Sequence, residues 1–92
     1  MPDGRVWSRR VRHAGDATLD RLEPLLLKLR ELPALRERKR GSFYRGSGAF
    51  LHFHEDSAGI FADLKLEGDW QRFRASTARE RQTLLRRVRG AL

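Results

Sequence analysis

The chain has 92 residues, enough for one domain with one modest core and too few for two lobes around a cleft. With 39% hydrophobic and 35% charged residues it is too apolar for a disordered polyelectrolyte and too polar for a membrane protein. The absence of cysteine excludes disulfides, thiolate nucleophiles and zinc–thiolate sites.

The net charge of +8 biases the chain toward phosphate-bearing partners or anionic surfaces. Of the 20 basic residues 17 are Arg, which binds phosphate bidentately and stacks on bases, although a GC-rich bacterial genome writes the same composition. No apolar run reaches bilayer length, and the first residues, MPDGRVWSRRVRH, lack the apolar region of a secretory signal. A cytoplasmic protein with no membrane partner is the expectation.

Residues 1–15 read as a basic arm in which Arg5, Arg9, Arg10 and Arg12 surround Trp7. Such an arm suits nucleic acid, by charge and by stacking of Trp7, or it is a frayed terminus, or Val6 and Trp7 dock as an edge strand. Residues 16–92 read as a single domain. From Asp16 to Leu32, Leu22, Leu25, Leu26, Leu29 and Leu32 recur at helical spacing and form one core stripe, with Leu27 off it. Asp20 and Glu23 stand in capping-box register ahead of Pro24, so regular helix is expected from about Asp20 until Pro33 stops it at Leu32. ALRERKRG reads as a short helical turn or a loop.

Gly41 to Ser76 reads as a strand meander: SFYR, AFLHFH, AGIFADLKL and WQRFRA, separated by GSG, EDS and EGD. The closing segment opens with Thr77 and Glu80 in capping-box register. It then sets Leu84, Leu85, Val88 and Leu92 on one side and Arg79, Gln82, Arg86 and Arg89 on the other. These elements predict an α+β domain, a small antiparallel meander of three to four strands with an N-terminal and a C-terminal helix on one face.

A hairpin turning through Glu55 to Ala58 sets His54 opposite Gly59 and His52 opposite Phe61, with Asp63 on the diagonal. Alternation then gives one aliphatic face under the helices and a second face carrying Phe50, His52, His54, Phe61, Asp63 and Lys65. Three readings of that face compete. As a metal site, His52 and His54 project together and Asp56 or Asp63 supplies oxygen; the His-x-His resembles that of cupins, except that Glu55 follows immediately where cupins place their acid several residues later. As a nuclease, Asp56 followed by Asp63-Leu64-Lys65 resembles the acid and (D/E)-x-K of restriction-type enzymes. As an interface, the face packs against the arm, a loop or a second copy in a homodimer, with His52 paired to Asp63 and its imidazolium favoured.

The run from LPALRERKRG through FLHFHED and ADLKL to the closing helix resembles a family of short uncharacterised bacterial proteins over about Leu32 to Leu92. That resemblance implies one small cytoplasmic domain and supplies no activity. A fainter similarity, on Leu32-Pro33 and Leu64-Lys65-Leu66, is to MmcQ/YjbR-like proteins, which are α+β and often described as DNA-binding-like; this chain is shorter and lacks their later strand segment. No phosphate-loop, dinucleotide-binding or nucleophile-elbow motif occurs.

The leading expectation is thus a non-enzymatic binding module without a cofactor, with nucleic acid as the favoured charged partner of Arg5, Trp7, Arg9, Arg10, Arg12, Arg79, Arg86 and Arg89. The alternative is a divalent-metal-dependent hydrolase or nuclease with His52, His54, Asp56 and Asp63 as ligands and Lys65 as helper.

Overall fold

A computed structural model describes residues 12–92. Within them lie two helices and six strands, in the order β1 (Arg12–His13), α1 (Asp16–Arg30), β2 (Arg36–Lys39), β3 (Ser42–Arg45), β4 (Gly48–Asp56), β5 (Gly59–Leu66), β6 (Asp69–Arg74) and α2 (Ala78–Ala91). All pairings are antiparallel. The sheet runs β2-β3-β4-β5-β6, and β1 also pairs with β4. The fold is α+β, as expected, but the sheet is larger than three or four strands.

Both additional strands come from segments without strand-like periodicity. β2 has the sequence RERK, expected as a loop or helical turn, and joins the sheet as a charged edge through its hairpin with β3. β1 is set by its partner: β3 occupies the edge of β4 up to His52, and β1 takes up the same edge at His54 and Glu55. The backbone N–H of Ala14 continues this contact, donating to the Phe53 carbonyl at 3.1 Å.

The leucine stripe of α1 is buried, beginning one turn earlier than expected: Leu19, Leu22, Leu25, Leu26 and Leu29 form one core with Leu84, Leu85 and Val88 of α2 and Leu51, Phe53, Ile60, Ala62 and Leu64 of the sheet. Leu27 stays outside at 54% exposure, as its position off the stripe requires.

The capping box at Thr77 and Glu80 forms: the Glu80 N–H donates to Thr77 Oγ1 and the Thr77 N–H to Glu80 Oε1, both at 3.1 Å. The box expected at Asp20 and Glu23 does not. Regular helix begins at Asp16, Gly15 is the N-cap, and Pro24 lies within the helix on its exposed side. Its missing hydrogen bond frees the Asp20 carbonyl toward solvent. Asp20 and Glu23 instead hold Arg40, each at 2.9 Å.

Three two-residue hairpins connect β3 through β6. Glu67 (φ 51°) and Gly68 (φ 87°) both take positive φ between Leu66 and Asp69, the conformation that fits the right-handed twist of a hairpin. Between β4 and β5 the loop is Ser57-Ala58, with Asp56 opposite Gly59 and the Asp56 carboxylate accepting from the Ala58 N–H at 2.7 Å. This turn is centred one residue later than the expected one, which shifts the pairing by two residues and keeps His52, His54, Phe61, Asp63 and Lys65 on one face.

Candidate functional site

The helices cover one side of the sheet, and the other side of β4–β6 carries no layer among the described residues. The observed register sets its side chains in rows. His13 of β1, His54 of β4, Phe61 of β5 and Arg74 of β6 stand opposite one another in turn; the next row is His52, Asp63 and Arg72, and the third is Lys65 and Trp70. Residues directly opposite on neighbouring strands share a face, so three histidines, two aromatics and three cations meet there.

His52 therefore faces Asp63 directly and His54 faces Phe61, a correction to the expected pairing. The carboxylate of Asp63 nonetheless contacts the diagonal ring: His54 Nε2 lies 3.0 Å from Asp63 Oδ2. The other side of Asp63 is held by Arg72, whose Nε and Nη2 donate to its two oxygens at 2.8 and 3.0 Å. Burial pushes the Asp63 carboxyl up, but the Arg72 fork outweighs it and the group sits below its ordinary value.

His54 Nε2 also lies 2.9 Å from His52 Nδ1. One ring nitrogen thus meets a carboxylate oxygen and a second imidazole nitrogen with at most one proton of its own. The His52 ring contacts Trp70, centroids 4.7 Å apart, and the His13 ring contacts His54 at 4.9 Å.

Burial lowers the proton affinity of both His52 and His54, and Asp63 only partly offsets it. This reverses the expectation of a favoured imidazolium at His52. The contact of His54 with Asp63 is therefore a neutral ring meeting a carboxylate at neutral pH, and the pair is not an ion pair there.

Phe50, expected on this face, is instead 5% exposed and packs into the core. The β3–β4 register shifts between Phe43 and Tyr44, which stand opposite Leu51 and Ala49, so Phe50 is the extra residue of a bulge and turns inward beside Leu51. Asp56 is engaged by the Ala58 N–H in its own turn and is not part of the histidine cluster. Lys65 is exposed, with its ammonium 5.4 Å from the Trp70 ring centre.

Of the arginines singled out from the sequence, Arg5, Arg9 and Arg10, with Trp7, lie outside the described residues. Arg12 is exposed and reaches Glu55 at 3.6 Å. Arg79, Arg86 and Arg89 are exposed on α2, in the layer across the core from the histidines, although Arg86 lines a cleft at the sheet rim together with Lys65.

Sequence reasoning missed His13, Trp70, Arg72 and Arg74 as members of this face. The last three alternate in DWQRFR, and laying that strand onto β5 would have placed them. His13 left no such signal, because only its pairing with His54 brings it there.

No protein-family model, curated protein or solved structure matches the chain. Among the described residues, no helix is long and apolar enough to cross a membrane.

Proposed function

We propose that this protein is a binding module without catalytic activity that takes a single strand of nucleic acid across the uncovered face of β4–β6. The observation that carries this reading is the exposed indole of Trp70, 43% accessible on a sheet face that it shares with Phe61, Lys65, Arg72 and Arg74. Aromatic rings on an open sheet stack bases, and cations beside them receive the phosphates. Here the two are interleaved: the Lys65 ammonium lies 5.4 Å from the Trp70 ring centre and the Arg74 guanidinium 5.3 Å from that of Phe61. A base entering the face exchanges these cation contacts for stacking and frees the cations for the backbone.

The test is fluorescence anisotropy with labelled single-stranded RNA and DNA oligonucleotides over a series of salt concentrations. Affinity should fall steeply with salt, and Trp70→Ala should weaken it by about 1–3 kcal/mol, the range for one stacked base. Undetectable or salt-independent binding overturns the reading. So does binding that Trp70→Ala leaves intact but replacement of Arg79, Arg86 and Arg89 by Gln removes, because the partner would then lie on α2.

A further inference from the structure

We infer that His13, His52 and His54 form a three-imidazole site for one divalent transition cation of the zinc class. One ligand nitrogen from each ring lies within 4.8 Å of the others, and the closest pair, His52 Nδ1 and His54 Nε2, is already 2.9 Å apart. In a tetrahedral zinc site with bonds of about 2.0 Å, ligand atoms stand roughly 3.3 Å from one another, so ring rotations close the site without moving the strands.

The local hydrogen bonding also favours a cation. His54 Nε2 meets both His52 Nδ1 and Asp63 Oδ2 and has at most one proton for the two contacts. A cation held between the two ring nitrogens replaces that contact, with the Asp63 carboxylate beside it.

The placement of the ligands is a consequence of the fold. His52 and His54 alternate on β4 and so project to one side, a geometry that two residues of a strand supply by themselves. The third ligand requires β1, whose His13 stands opposite His54. Asp63 Oδ2, 3.0 Å from His54 Nε2, brings negative charge to the site, and Arg72 fixes its orientation from the far side. Because His13 is exposed, the fourth position opens to solvent, as in sites where water completes three protein ligands. Three imidazoles select zinc, cobalt, nickel or copper over magnesium and calcium, which prefer oxygen.

The experiment titrates the untagged chain, free of nucleic acid, with Zn²⁺ by calorimetry and with Co²⁺ by visible absorption, using Mg²⁺ as the comparison. The expected result is one Zn²⁺ per chain, a Co²⁺ spectrum of low-coordinate type and no Mg²⁺ binding. His13→Gln and His52→Gln should each weaken Zn²⁺ binding roughly tenfold or more, while Asp56→Asn leaves it unchanged. His13 is exposed on a two-residue strand, so its variant keeps the fold, which circular dichroism verifies. Amide exchange at His13 should slow when Zn²⁺ ties β1 to β4. The inference is overturned by the absence of saturable binding at one per chain, by binding that His13→Gln does not weaken, or by loss of binding in Asp56→Asn.

Discussion

Glu55, near the end of β4, caps the first helix from 40 residues away: its Oε2 accepts from the Gly15 backbone N–H at 2.6 Å. Its other oxygen accepts from the Thr18 hydroxyl at 3.0 Å. The N-cap residue Gly15 has no side chain to satisfy the first turn of α1, and a carboxylate from the sheet serves both as hydrogen-bond acceptor and as negative charge at the helix N-terminus. Glu55→Ala should therefore destabilise the protein by about 1–2 kcal/mol, the usual worth of a cap, and Glu55→Gln by less. Urea unfolding of the two variants measures this; an unchanged midpoint in Glu55→Ala would show that water replaces the cap without loss.

Glu37 links the charged edge strand to the first helix. Its carboxylate accepts from Arg30 Nε and Nη2 at 2.5 and 3.1 Å and from the Gly41 backbone N–H at 2.9 Å. Burial pushes this carboxyl up, yet the hydrogen bonds to Arg30 and Gly41 together hold it below its ordinary 4.5. A carboxyl lowered in the folded state binds fewer protons there than in the unfolded chain. Its stabilisation is complete above the unfolded value and is lost as the pH falls toward the folded one. Stability should be insensitive to Glu37 ionisation between pH 6 and 8, as rough bounds, and fall below about pH 4.5. Glu37→Gln should lower stability at pH 7 and reduce that acid slope, as read from unfolding midpoints at the two ends of the range.

Two glycines should respond to alanine with opposite signs. Gly41 has φ +80° and is buried, and a Cβ there would lie 2.7 Å from Leu19 Cδ2. Gly41→Ala should cost about 1–3 kcal/mol from the left-handed backbone and the overlap with Leu19. Gly90 lies near the end of α2 with open space around its Cα, and Gly90→Ala should stabilise by up to about 1 kcal/mol through helix propensity. Thermal denaturation of the two variants side by side gives the contrast; equal shifts would contradict it.

The two phenylalanines assigned from the sequence to the same face should differ in their contribution to stability. Phe50 is in the core and Phe61 lies half-buried on the open face beneath Arg72 and Arg74. Phe50→Ala should cost about 3–5 kcal/mol, as for a core aromatic, and Phe61→Ala much less. Chemical denaturation decides it, and similar losses at the two positions would argue against the bulge that turns Phe50 inward.

Local pattern determined much of the architecture. The leucine spacing of α1, the capping box of α2 and the alternation along β4 and β5 each act within a few residues, through backbone preference and the burial of one face. The face of the histidines was legible for the same reason. The hairpin register was not, but the two-residue shift preserves the face, because side chains alternate with a period of two.

Only the tertiary structure decided the rest, and in each case through contacts distant in sequence. The bulge that withdraws Phe50 depends on β3, and the cap that allows α1 to begin at Asp16 comes from Glu55 on β4. The meeting of His13 with His52 and His54 depends on where the edge of β4 is left free by β3. Composition set the charge and excluded thiol chemistry, and periodicity set the helices and the faces of the sheet. Which polar groups converge was decided by strand pairing, because backbone hydrogen bonds are the same whatever the side chain, and their register emerges only when the whole core closes.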